Sequence, residues 1–255
     1  SSGTSEAVLM ALQKITDRPL RMILNTNAEP HNTGGNEALY RAGRFVGDRG
    51  EVNHAQISAH EAVLNRVSAQ QGGRPALPEA AWPTDVFYTD NIEFHFNGEG
   101  IVMYHAPAAR TDGDAFVYFR KSDVIVAGDL FLQHGYPVID VDRGGSIQGV
   151  IDALNRMIDI AIPERNQEGG TMIVSGDGRP GDEYEVVIYR DMVTTFRDRI
   201  ADMKRKGLTL DQVLASRPTR DYDRRYATAS WTAEQFVAAI YRTVDAAVAT
   251  AGLGE

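Results

Sequence analysis

Between residues 85 and 129 the chain passes through five short apolar segments in succession, "DVFYT", "NIEFHF", "GIVMYHA", "AFVYF" and "DVIVAGD". Each is rich in β-branched and aromatic residues, and Gly, Asn or Asp stands at its boundaries, which is the pattern of consecutive strands. From Ser146 the periodicity changes. Ile147, Ile151, Leu154 and Ile158 form a helical stripe with Ser146 as N-cap. "TMIVSGDG" then predicts one more strand ending in a turn, and Tyr189, Val193, Phe196, Ile200 and Met203 mark a long amphipathic helix. Capping boxes at Thr209 with Gln212 and Thr232 with Gln235 open the last two helices.

Upstream of the meander, Val8, Leu12 and Ile15 recur at helical spacing and predict a helix over 5–16 that packs this face inward. "RMILNT" reads as a buried strand, 36–42 as a helix opened by two glycines, 43–58 as an irregular insertion ending in a strand, and 60–69 as a helix. "QQGGRPALPEAAWPT" reads as loop. The order predicts an α/β fold, with sheets covered by helices on their outer faces, in a single domain over 1–255. No repeat of fixed period and no low-complexity tract interrupts it.

Composition narrows the function. A formal charge of −9, with basic residues interspersed among acids, argues against nucleic acid, since phosphate binding needs a basic stripe. A small, uncharged or electron-poor ligand is easier to accommodate. With no cysteine, disulfides, thiolate catalysis and cysteine-bound zinc are excluded. No apolar run is long enough to span a bilayer, and "SSGTSEAVLM" lacks the features of a signal peptide, so no membrane role and a cytoplasmic location are expected.

Several segments, in order, resemble the metallo-β-lactamase fold superfamily. Thr26 to Gly35, "TNAEPHNTGG", aligns with the family motif T-H-x-H-x-D-H-x-G-G; "PAARTDGDAFVYF" resembles P-x-x-H-T-x-G-D; "VIVAGDLF" resembles the strand carrying the bridging aspartate; "IVSGDG" resembles the G-H-G turn. The resemblance implies an αββα sandwich. Family members usually begin with strands that have no counterpart here, so the missing front of the sheet is expected from a second subunit, with a trimmed chain as the alternative.

The family's metal ligands are largely replaced. Where the first metal's histidines are expected, this chain has Asn27, Glu29 and Arg110; at the second, His31 stands for the aspartate and Asn32 and Asp177 for histidines, while the bridging Asp129 is kept. Asparagine is a poor ligand, and a guanidinium, always protonated, is none. The resemblance therefore implies a hydrolase working without a cofactor on a small activated substrate. In it, His31 is the general base, because an unperturbed imidazole titrates near neutrality. Glu29, Asp129 or Asp177 orients it, Arg110 stabilises developing negative charge, and Asn27 and Asn32 hydrogen-bond the substrate. Lacking a Lewis acid, such a site needs a substrate activated in itself, such as a nitroaromatic ether undergoing O-demethylation, or an activated ester or lactone. Two alternatives stand: a single divalent metal ion held by His31, Asp129 and Asp177, and a catalytically silent member that binds a ligand or scaffolds a partner.

Quieter readings stand beside these. His31 could cap the helix beginning near Gly35, and Arg110 with Asp129 could be a structural ion pair. Asp112 and Asp114 in "TDGD" are expected to shape a turn. His54, His60, His95, His105 and His134 default to structural roles. Trp82, Trp231, Tyr88 and Phe131 are expected in the core, with a pocket lining as the alternative. "RPTRDYDRRY" is expected to be a solvated segment or a subunit contact.

Overall fold

The computed structural model describes residues 2–46, 52–166 and 169–244, so residues 47–51 of the expected insertion lie outside the described residues. The chain divides into two compact units, Ser1–Ile92 and Glu93–Glu255. No helix among the described residues is long and apolar enough to cross a membrane.

The first unit runs α1 (Ser2–Ile15), β1 (Met22–Leu24), α2 (Pro30–Thr33), α3 (Asn36–Ala42), the pair β2 (Phe45–Val46) and β3 (Val52–Asn53), β4 (Gln56–His60), α4 (Glu61–Ser68), the pair β5 (Gln70–Gln71) and β6 (Arg74–Pro75), a 3₁₀ turn at Glu79–Ala81, and β7 (Asp85–Phe87). Three strands form a parallel sheet in the order β1-β4-β7, with Ile23 opposite Ile57 and Ala59 opposite Val86. Val63 and Val67 of α4 pack on Ala59, joined by Trp82. Trp82 also donates its indole N–H to the Leu77 carbonyl at 2.9 Å. His60 ends β4 and caps α4, its Nδ1 accepting from the Ala62 N–H.

Three expectations fail in this unit, one of them the core placement of Tyr88, which is exposed. The stretch read as loop from Gln70 carries a two-residue hairpin and a 3₁₀ turn, elements too short to leave a periodic signal. The apolar stripe of α1 is not packed inward: Val8 is 42% and Ile15 80% exposed. Among the described side chains of that helix the buried one is Ser5, whose Oγ lies against Gly35.

The second unit builds on a sheet in the order β12-β11-β10-β9-β8, from β8 (Asn91–Phe96), β9 (Glu99–Ala106), β10 (Asp114–Phe119), β11 (Val124–Gly128) and β12 (Met172–Ser175). The β9–β10 and β10–β11 pairs are antiparallel; β12 joins β11 in parallel. Asn97 and Gly98 take the left-handed φ values of 55° and 73° that a tight hairpin turn requires. A 3₁₀ turn (Val141–Arg143) precedes α5 (Ile147–Ile160), and a second (Glu164–Asn166) precedes β12. Then follow α6 (Glu183–Arg205), α7 (Leu210–Ser216), α8 (Arg220–Tyr226) and α9 (Ala233–Thr243).

Ser146 caps α5 by accepting from the Gly149 N–H, and both expected capping boxes form. The stripes of α5 and α6, with Phe236, Val237 and Ile240 of α9, bury into one core with Phe116, Ile125 and Ile173 of the sheet. Tyr136 stands inside it, stacked on Phe236 at 4.4 Å, and its hydroxyl donates to Asp223 at 3.0 Å. "RPTRDYDRRY", expected as a solvated segment or subunit contact, runs into α8 and exposes Arg217, Arg220, Asp221, Arg224 and Arg225. Tyr226 is buried there, and Tyr222 packs edge-on against Phe196. Phe131 is in the core and Trp231 packs on it, whereas Tyr88 is 68% exposed.

Candidate functional site

In the first unit the motif loop leaves β1 and is knitted by amides. Asn25 and Asn36 exchange side-chain hydrogen bonds at 3.1 and 2.7 Å, both buried, and Asn36 also donates to the Ala81 carbonyl. Asn27 is buried too. Its Oδ1 accepts from the Glu29 N–H at 3.0 Å and from Asn32 Nδ2 at 2.8 Å. Asn27, Glu29 and Asn32 are thus brought together at the start of α2, where Pro30 occupies the first helical position with its φ already set. His31 follows on the exposed side of this helix. It does not cap α3, because the N-cap residue there is Gly35.

In the second unit the loop between β9 and β10 is fixed to the start of α5. Ser146 Oγ donates to the Ala108 carbonyl at 2.9 Å, the Asp140 N–H to the Arg110 carbonyl at 2.9 Å, and the Asp112 N–H to the Arg143 carbonyl at 3.0 Å. So close is the approach that a Cβ at Gly149 would lie 1.9 Å from the Ala108 oxygen. With its backbone held this way, Arg110 extends inward and donates from NH1 to Asp129 Oδ2 at 2.8 Å. Arg110 is buried and Asp129 partly so, at 7% and 12% side-chain exposure.

A third charge belongs to this pair. Asp114 is 1% exposed, and its Oδ1 stands 4.0 Å from Arg110 NH1. Its Oδ2 accepts from the Thr111 N–H at 2.6 Å and the Thr111 hydroxyl at 2.8 Å, which is the turn-shaping role expected of it. Burial pushes the Asp114 carboxyl up to about 6, against the opposing pull of Arg110 and Thr111. Sequence reasoning did not connect Asp114 with Arg110. The available signal was a carboxylate opening an otherwise apolar central strand four residues after an arginine.

Asp177 lies in the turn after β12. Its Oδ1 accepts from the Gln133 N–H at 2.6 Å and its Oδ2 from the His134 N–H at 3.2 Å, with His134 Nδ1 at 3.6 Å. This turn packs on Asp129: a Cβ at Gly176 would lie 2.9 Å from Asp129 Oδ1. Arg110, Asp129 and Asp177 therefore share one neighbourhood of the second unit, while Asn27, Glu29, His31 and Asn32 share one of the first. Among the described residues no group of three or more His, Asp or Glu could hold a metal ion. Of the remaining histidines, His54 lies against Tyr40 with the two rings tilted by 48°, and His105 Nε2 meets the Asp112 carbonyl at 2.8 Å.

No protein-family model and no curated protein matches this chain. Solved structures do. The BLEG-1 B3 metallo-beta-lactamase is similar with a TM-score of 0.54 and 21% identity, over 74% of this chain and 84% of that one. A metallo-beta-lactamase from Pontibacter korlensis has a TM-score of 0.54 and 16% identity over 74% and 76%. The stereoselective inverting sec-alkylsulfatase Pisa1 from Pseudomonas sp. reaches 0.61 at 13% identity over 93% of this chain, which spans 43% of the sulfatase. The chain has the α/β fold of these metallo-β-lactamase-fold proteins.

Proposed function

We propose that the chain is the main subunit of a hydrolase that acts on a small, electron-poor substrate without the di-zinc centre usual in this fold. The observation that carries the proposal is the Arg110–Asp129 contact of 2.8 Å: a fixed guanidinium occupies the carboxylate that would bridge two metal ions. Guanidinium cannot ligate, Asn27 already accepts two hydrogen bonds at its amide oxygen, and the donor set does not fit a di-zinc site. In the first unit the group able to take the proton of an attacking water is His31, and in the second the group able to meet negative charge on a substrate is Arg110.

In a nitroaromatic ether the water oxygen adds to the ring carbon bearing the alkoxy group, and the added charge spreads into the nitro oxygens. The carbon–alkoxy bond then breaks and the alkoxide takes up a proton, so the ether and water give an alcohol and a nitrophenol with no oxidant. This chemistry resembles that of the 2,4-dinitroanisole O-demethylase. A second chain is part of the proposal, supported by β1 at a sheet edge and by the exposed Val8, Met10 and Ile15 of α1.

The test is turnover of 2,4-dinitroanisole and of activated aryl esters by the complex purified from its source. Activity that survives chelation and is lost in His31→Ala, with the circular dichroism spectrum unchanged, is the expected result. Full activity in His31→Ala would remove the proposed base, and loss on chelation with recovery on adding Mn, Fe or Zn would install a one-metal site. A non-catalytic binding or scaffold role is favoured by Asp177, both of whose oxygens accept from loop backbone, and it requires no turnover of any of these substrates.

A further inference from the structure

The second unit buries one carboxylate to which the proposed reaction gives no part. We infer that Asp114 is a positioning residue for Arg110, a second carboxylate beside the NH1 nitrogen that Asp129 holds. The inference rests on the reading of Arg110 as the group that meets substrate charge.

Three observations lead to it. The backbone of Arg110 is fixed, since its carbonyl accepts from Asp140 and its loop is hydrogen-bonded to the α5 start, so the remaining freedom is in the side chain. That side chain has one hydrogen bond in this cluster, from NH1 to Asp129 at 2.8 Å, and its buried Nε has no partner. A single such contact lets a guanidinium pivot, unlike a two-pronged one. Finally, Asp114 is itself immobile: Thr111 holds Oδ2 by two hydrogen bonds, leaving Oδ1, which accepts none, 4.0 Å from NH1. At that separation and burial the attraction exceeds thermal energy severalfold. A second negative charge at NH1 adds to the one hydrogen bond in holding that end of the guanidinium and restricts the pivot.

The charged groups acting on Asp114 are Arg110 and, with opposite effect, Asp129. On the neighbouring strand, His105 stands opposite Ala115 and turns its ring to the Asp112 carbonyl, while Tyr189 of α6 is influenced by both Arg110 and Asp177. Neither His105 nor Tyr189 supplies a negative charge that could replace Asp114 at NH1.

The test is nitrogen-15 NMR of the arginine side chains in the full chain, comparing wild type with Asp114→Asn. The carboxamide oxygen can keep both Thr111 bonds while the charge is removed. Distinct, slowly exchanging Nη signals for Arg110 in the wild type, averaged in Asp114→Asn, are expected. Where turnover is measurable, kcat should fall about ten-fold or more with KM held within about two-fold, as for a displaced charge-stabilising group. Unchanged Arg110 signals in a folded Asp114→Asn would overturn the inference. Should that variant not fold, lowering the wild type from pH 7.5 to 5 neutralises Asp114 in place, and the same averaging must appear or the inference is lost. If the signals behave as expected and the wild type turns over no substrate, the positioning stands and the hydrolase reading falls.

Discussion

A carboxylate buried beside a guanidinium ionises according to two opposed effects, loss of water and attraction to the cation. At Asp114 the loss of water wins, and the group titrates at about 6 against an ordinary 3.8. A raised value means that the folded chain prefers the neutral form. The stability this gives is complete below about pH 4 and is lost as pH climbs through about 6, a change of about 3 kcal/mol for a shift of about two units. Asp114→Asn should lack that dependence. Urea denaturation of the two proteins from pH 4 to 7.5 should show wild type losing ground to the variant by about that amount. A second residue-scale outcome concerns Gly176, where a Cβ would lie 2.7 Å from the Gly128 oxygen and 2.9 Å from Asp129 Oδ1. Because one of those neighbours is backbone, Gly176→Ala should cost about 1–3 kcal/mol in the same assay.

Helices α7 and α9 begin with capping boxes in which the threonine hydroxyl and the glutamine amide satisfy backbone groups reciprocally. Thr209→Ala and Thr232→Ala should each cost about 1 kcal/mol by chemical denaturation. These caps, the Ser146 cap and the strands of the second unit were legible because their signals are local. Helix α8 was not, since its arginines and aspartates cover a Tyr222–Tyr226 pair whose reward is tertiary, against Phe196 and Tyr136. Periodicity identified α1 as amphipathic but carries no information on whether its stripe has a partner. At the site, Arg110 and Asp129 meet across nineteen residues of chain, a pairing that spacing alone does not encode. The acceptor role of Asp177 depends on the backbone at Gln133 and His134, 44 and 43 residues from it in sequence.

For the molecule as a whole, stability is concentrated in the aromatic and aliphatic core of the second unit. Phe196 is fully buried, beside Tyr136, Tyr222 and Phe236. Phe196→Ala should cost about 3–5 kcal/mol. Ile15→Glu, by contrast, changes a side chain that is 80% exposed, and should shift the stability of this chain alone by no more than about 0.5 kcal/mol. If a second chain covers α1, that same variant should emerge from purification without it. Asp177 carries a different consequence, for the routes by which this sequence can change. A histidine at that position would withdraw the acceptor from two backbone N–H groups at once, so the loop around Gln133 and His134 would have to be rebuilt before a metal-binding side chain there could be of use. Single substitutions selected for metal-dependent activity should therefore avoid position 177 until a compensating change near Gln133 has come first.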